Sequence, residues 1–411
     1  MKIVTLKPEQ FDEYAKKHRY RNYYQTTAYG NTMKKFGYRI AYLGVINETN
    51  NLVGATLILY KQVFMNNKIA YAPRGVLFDF ETKERTEELE TALKQFLGKR
   101  GFMLLRMDPY IPLSIRSSDG SLLNINRQGE EALKSLSSPS FIYKGKNLYF
   151  ENEKSRWEAL ILLNKDIKQI FSSFDKRTQN KIRKATNLGI EIYKDEEKSL
   201  KPLYEFIKKK EKKPISFYET ICSNFGEDID IYYARLNTET FIVNTRKLYE
   251  REVQNNDQLT EQIQNLNPRD RNTVLNKKME SDKLISAYKN NLILATELLK
   301  KYPKGMIIGG AIVINYDNAA FVFTEGFDEK YTALNASYLL KWRMIDDYNK
   351  KGHKYLNINA VVGEFEQKNE YSGLNEMKLG FHSIVTEYIG EFDLILNNLT
   401  YNLYKNFNKE K

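Results

Sequence analysis

Apolar and polar positions fall into two stretches that share one order of elements. Alternating or continuous apolar runs predict strands over 40–45, 52–60 and 68–72, separated by the turns NETNN and NN. Leu89, Leu93, Phe96 and Leu97 then recur at helical spacing and predict a helix over 86–97; Gly101 breaks it, and 103–107 returns to strand. In the second stretch strands are expected over 229–236, 306–315 and 319–324, the last two joined by the turn YDN. A helical stripe of Ala336, Leu340, Met344 and Tyr348 follows, ending near Gly352, before a strand over 355–360. Both stretches read βββαβ.

The first turn of the second copy is replaced by a long polar insert, residues 237–305, with no glycine before its end. It predicts two helices, 240–266 and 269–299, broken at Asn267-Pro268. Leu248, Val253, Leu259, Ile263 and Leu266 form the expected apolar side of the first; Leu275, Met279, Leu284, Tyr288 and Leu292 form that of the second. Such imperfect heptads predict an antiparallel coiled-coil hairpin projecting as an arm, the alternative being a helical pair lying along the globule. The expected class is therefore α+β: two tandem GNAT-like acyltransferase domains, a plan that the βββαβ order fits, with the hairpin inserted. The first domain would span 1–150, the second 151–236 and 306–411, and the arm 237–305.

Composition narrows the chemistry. The chain of 411 residues is 42% hydrophobic and 28% charged, enough for packed cores and unlike a disordered tail. Its single cysteine, Cys222, cannot form an intrachain disulfide, and with three scattered histidines it cannot assemble a thiolate or imidazole zinc site. No metal or redox cofactor is implied. The N-terminus lacks a signal-peptide core and the longest apolar runs are of strand length, so a reducing, cytosolic setting is expected. Net charge is +12, and residues 165–213 hold fifteen bases against eight acids. That excess suits a polyanion, either RNA or an anionic membrane face, or else a solvated lysine-rich surface.

An acyl-CoA enzyme of this fold cradles pyrophosphate on a glycine-rich turn, and neither 77–85 nor 327–336 contains G-x-G. Four segments stand out instead: YAPRGV (71–76), RMDPY (106–110), KKPISFY (212–218) and GLNEMKLGF (373–381). With the Gln25 region, the basic segment 171–192, the helix 334–345 and EYIGEFDLIL (387–396), they occur in the order and spacing of a known family. The chain resembles, nearly end to end, the Fem-type aminoacyltransferases that build peptidoglycan interpeptide bridges in Gram-positive bacteria.

The resemblance implies transfer of an amino acid, Gly, Ala or Ser, from aminoacyl-tRNA to an amine of the muramyl stem or bridge peptide, carried by lipid II or UDP-muramyl pentapeptide. Such an enzyme would work in the cytoplasm, peripherally at the inner membrane face, as a possible homodimer or beside a partner transferase. The chemistry is aminolysis of an ester, which requires positioning and oxyanion stabilisation but no protein nucleophile. Lys378, in the family's F-K-x-G-F/Y pattern with Met377 at the Phe position, is the candidate cation; the alternative is a surface lysine at a strand start. His382, four residues on, is a candidate base or a structural histidine. Asp108 either accepts a proton and orients the amine or caps the turn at Pro109.

Arg74, followed by Gly75 and then Val76 where the family has Pro, is expected to meet a phosphate or carboxylate of the muramyl substrate. Lys213, where a relative has Arg, and Tyr218 match precursor-binding positions, and Lys34 is the nominee for an N-terminal precursor-binding lysine. Phe323 either lines the peptide channel or fills the core. For tRNA, Lys176, Arg177, Lys181, Arg183 and Lys184 and the exposed face of the arm are the expected contacts. Two other readings are an aminoacyl-tRNA-dependent transferase with another acceptor, such as a protein N-terminus or a lipid, and a non-catalytic tRNA-binding or immunity module.

Overall fold

The computed structural model describes residues 1–63, 66–137, 140–267 and 271–409. In the first sheet Arg39–Ile46 and Leu52–Gln62 form an antiparallel hairpin, and Lys68–Ala72 pairs onto it. Phe102–Met107 then lies parallel to Lys68–Ala72. A parallel neighbour needs a crossover, which the helix Lys83–Gly98 supplies. Its cap, Thr82, accepts the Arg85 amide, and Leu89, Leu93 and Leu97 form its buried stripe. The second sheet repeats the plan: Ile229–Leu236, Met306–Tyr316 and Ala319–Phe327 run antiparallel, and the helix Ala336–Lys350 carries the chain to Tyr355–Ala360, parallel to Ala319–Phe327. Two tandem α+β units of one topology are present, as the pattern predicts.

The sheets exchange strands across residue 150. Phe392–Ile395, from the end of the chain, pairs with Phe102–Met107 on one side and Phe141–Tyr143 on the other, inside the first sheet. Pro112–Arg116 and Leu122–Ile125 extend the second sheet from Ile384–Tyr388. Among the described strands the chain passes between the sheets four times, and its two short crossings, 108–111 and 389–391, touch where the Ile389 amide donates to the Ile111 carbonyl at 3.0 Å. RMDPY and EYIGEFDLIL are these crossings. Each sheet has a helix-covered core of its own, the first holding Leu43, Leu105 and Phe392, the second Tyr232, Leu340 and Ile358. A third core takes Leu57, Tyr110, Phe217, Ile312 and Tyr388 from both units.

The insert is two long helices, Thr238–Asn265 and Arg271–Lys301, running side by side in opposite directions. Thr238 donates to the Tyr302 carbonyl at the base, and further out Asn256 donates to Asp282 at 2.8 Å and Ser281 to Glu252 at 2.6 Å. Tyr288 and Leu292 of the expected stripe of the second helix are half-buried, but Leu275, Met279 and Leu284 are exposed, and Val274, Lys278, Ser281 and Ile285 take the less exposed positions in that part of the helix. Selecting the largest apolar residues missed a seam made partly of polar groups. Pro268, the expected break, lies outside the described residues.

Phe392 is fully buried in a strand shared by both halves of the chain. Phe392→Ala is expected to cost about 3–5 kcal/mol, and urea denaturation followed by circular dichroism should show one shifted transition. Two separated transitions in the wild type would contradict the interlocked arrangement.

Candidate active site

The site forms where the crossings meet. Strand Lys68–Ala72 ends in a turn that places Arg74 at φ 53°. Asp108, directly after strand Phe102–Met107, accepts the Arg74 amide at 2.7 Å and the Tyr71 hydroxyl at 3.0 Å. YAPRGV and RMDPY are thus one interlocked unit, and Asp108 holds this turn rather than capping Pro109. Gln25 clamps its other side, donating to the Pro73 carbonyl at 2.8 Å and accepting the Leu57 amide at 2.8 Å. A Cβ on Gly75 would lie 2.7 Å from that Gln25 amide nitrogen, so only glycine fits. Burial pushes the Asp108 carboxyl up to about 6, with the Arg74 guanidinium pulling against it.

Arg74, expected to meet a substrate phosphate or carboxylate, meets carboxylates of the protein instead. It is 3% exposed; Nη2 donates to Glu158 and, at 2.8 Å, to the Ser155 carbonyl, and Nη1 lies 4.0 Å from Asp108. The rings of Tyr110 and Tyr388 flank the guanidinium at 5.2 and 5.0 Å. Glu158 also accepts Asn357 at 2.7 Å, Tyr110 at 3.2 Å and Tyr388 at 3.3 Å. A small polar cavity adjoins this pair, lined in part by Tyr24, Arg74, Lys154, Glu158 and Asn357.

Lys154, which no motif signals, stands there with Nζ 4.0 Å above the Tyr24 ring. Burial pushes the Tyr24 hydroxyl up, but the Lys154 ammonium and bonds from Tyr23 and Lys154 outweigh it and lower its pKa. Lys213 lies nearby, with Nζ 4.4 Å over the Phe217 ring. Its pKa is lowered by desolvation of the amine and then by Lys154, so two amines share one neighbourhood although the Lys213 residue as a whole is exposed. Phe323, half-buried, stacks on Phe217 and meets Tyr23 edge-on, both at 6.3 Å. Tyr218 is buried behind them, donating to Glu211 at 2.8 Å, while Thr324 donates to the other Glu211 oxygen at 2.6 Å. Lys34 is exposed in the last turn of the helix Thr27–Lys35, which packs on the helix Ile215–Phe225 through Asn224 donating to Thr32.

Lys378 is not at a strand start. It occupies the last turn of the helix Ser372–Leu379 and is 6% exposed. Asn375 positions that helix by exchanging two hydrogen bonds with the backbone of Val362. One turn on, Lys378 Nζ donates to the Ala360 carbonyl at 2.7 Å. Burial lowers the Lys378 pKa to about 8, against the pull of Glu325 and with the help of Lys341. Fully buried Lys341 donates to both Glu325 oxygens, at 2.9 and 2.6 Å. One carboxylate thus faces two amines. The structure brings Asp108, Arg74, Lys213 and Phe323 into one neighbourhood with Lys154 and Tyr24; Lys378 belongs to the adjoining Glu325 cluster, where it also feels Glu158. His382 is exposed at φ 54°.

The helix Lys176–Asn187 carries the expected basic set. Lys176, Arg177, Arg183 and Lys184 are exposed; Arg177 pairs with Glu376, and Lys181 turns inward to donate to the Tyr338 hydroxyl at 2.7 Å. Four of the five thus face solvent, and Lys181 supports the helix.

Two tandem α+β units of one βββαβ topology share a buried polar site. The family model described as the FemAB family matches residues 6–409, and the chain belongs to that family. The aminoacyltransferase FemA of Staphylococcus epidermidis is 22% identical over 421 positions that span the whole of both chains. FemA of Staphylococcus aureus strain MRSA252 is also 22% identical, covering all of this chain and 99% of its own. A solved structure described as the crystal structure of FemX superposes with a TM-score of 0.72 at 18% identity, covering 98% of this chain and 99% of that one, a likeness of fold.

Removing one partner of a buried ion pair strands the other, so Arg74→Met is expected to lower stability by about 3–5 kcal/mol, read from guanidinium denaturation. Lys378 binds fewer protons folded than unfolded between about 8 and its ordinary 10.5. Its contribution to stability therefore rises with pH across that window. Lys378→Met should flatten this part of the stability profile, and an unchanged slope would contradict the depressed amine.

Proposed function

We propose that this protein transfers an amino acid from aminoacyl-tRNA to an amine of a peptidoglycan precursor, in the synthesis of cell-wall interpeptide bridges. The reading is carried by one observation: a buried amine, Lys378, with its pKa lowered to about 8, in a chain matched over residues 6–409 to the FemAB family. Aminolysis joins the acceptor nitrogen to the aminoacyl carbonyl carbon, breaks the ester C–O bond and passes the amine proton, by way of a base, to the departing ribose oxygen. Asp108, with its pKa near 6, is ionised at neutral pH and serves as that base. Lys378, still mostly protonated at neutral pH, supplies the positive charge at the developing oxyanion. Ala360 occupies one of its N–H groups, leaving two for the reacting oxygen.

Lys154 and Lys213 offer two amines to the pyrophosphate of the acceptor, while Phe323 and Tyr23 form the wall along which the peptide lies. Tyr218 holds Glu211 behind that wall, and Lys34 lies at the rim. Arg74 acts as a positioning residue for Asp108. The exposed bases of the helix Lys176–Asn187 and the arm take tRNA phosphates. The cargo is a small amino acid, Gly, Ala or Ser, and the acceptor is lipid II or its UDP-linked precursor. Among the described residues no helix is long and apolar enough to cross a membrane, and we assign the protein to the cytoplasmic membrane face as a peripheral enzyme, alone, as a homodimer or with a partner transferase.

The test is transfer of radiolabel from tRNAs charged separately with Gly, Ala and Ser to the lipid-linked and UDP-linked pentapeptides. One donor should dominate, and Lys378→Ala should lower kcat/KM roughly 10²–10³-fold. The pH profile should be bell-shaped, rising through about 6 as Asp108 ionises and falling above about 8 as Lys378 loses its charge. No transfer to either acceptor would sink this reading in favour of another acceptor or a tRNA-binding role.

A further inference from the structure

On the outer face of the second unit, the helices Ile167–Ser173, Lys176–Asn187 and Ala336–Lys350 leave an open pocket of about 480 Å³. Phe171 and Trp342 form its aromatic angle, with ring centroids 4.9 Å apart and planes at 60°; Ile167 and Ile182 line it too. Two cations, Lys168 and Arg183, complete the lining, and no carboxylate is among the described residues there. The Arg183 guanidinium lies 5.3 Å over the Phe171 ring and is steadied by Gln179 at 3.1 Å. The pocket also reaches Asn187, whose carbonyl accepts Asn244 of the arm at 2.8 Å. It therefore sits at the foot of the arm, on the helix bearing the exposed bases Lys176 and Lys184.

An acyl chain or an apolar protein side chain would fill the aromatic angle and leave both cations without an anion. A nucleotide meets both demands, because its base stacks on an aromatic face and its phosphates neutralise the rim. The base must be unpaired, since a base within a continuous duplex has both faces covered. We propose that this pocket binds one unpaired nucleobase of an RNA, stacked against the aromatic angle formed by Phe171 and Trp342, with the flanking phosphates on Lys168 and Arg183. The proposal rests on tRNA being the donor substrate and identifies a point at which the protein grips it.

Trp342 is a built-in reporter, because the other tryptophan, Trp157, is buried. Full-length protein is titrated with unacylated tRNA, with a short blunt RNA duplex and with anionic phospholipid vesicles. The tRNA should quench Trp342 emission and the duplex should not. Trp342→Ala and Arg183→Ala should each weaken tRNA binding about tenfold, with Trp342→Phe retaining most of the affinity and circular dichroism confirming an intact fold. Unchanged tRNA affinity in Trp342→Ala overturns the proposal, as does quenching by vesicles but not by RNA. Quenching by tRNA in a protein that transfers no amino acid supports the pocket and removes the catalytic reading. Transfer with no change in emission does the reverse.

Discussion

The carboxylate of Glu158 is the constraint on which the rest of the site depends. It comes from the strand Trp157–Leu162 and collects Arg74 from the turn of the first unit, Asn357 from the second sheet, Tyr110 from the crossing 108–111 and Tyr388 from the strand end that leads into 389–391. Taking an ion out of water costs several kcal/mol unless its lone pairs are filled, and here four donors from four segments fill them. Because Arg74 also packs against Asp108, the position of that acid follows from where Glu158 lies. Tyr110 and Tyr388 stack at 4.4 Å, so the crossing 108–111 and that strand end are joined by their rings as well as by the shared carboxylate.

Charge is apportioned differently in the neighbouring cluster. Around Arg74 two carboxylates face one guanidinium, with Lys154 close by; around Glu325 one carboxylate faces two amines. Lys341 takes both oxygens of Glu325, and Lys378 is left with a carbonyl, which accepts a hydrogen bond but carries no compensating charge. Burial without a compensating charge of its own is the physical origin of an amine with its pKa near 8.

The repeated βββαβ order was legible because its strands are buried runs with clear turns, and the crossover helices carry clean stripes such as Leu89, Leu93 and Leu97. The strand exchange was not, since pairing between Phe102–Met107 and Phe392–Ile395 spans most of the chain and leaves no periodic trace. In the site, motif segments identified Asp108 and Lys378 as candidates, but not that Arg74 would turn inward, which depends on a glutamate eighty-four residues away. Glu158 did leave a trace, as a lone carboxylate in the apolar run WEALIL. Lys154 left none, because it stands in a polar stretch like many others. In the arm, inward Ser281 and Lys278 defeated a reading based on large apolar residues alone.

The placement of Phe392–Ile395 also governs how the molecule is made. The edge of Phe102–Met107 is synthesised nearly three hundred residues before the strand that covers it. At ribosomal rates of about 5–20 residues per second, that edge waits roughly 15–60 s for its partner. Through that interval the nascent first sheet presents an open, apolar flank of a kind that pairs readily with other chains. Closure of the first sheet is thus tied to synthesis of residues 392–395.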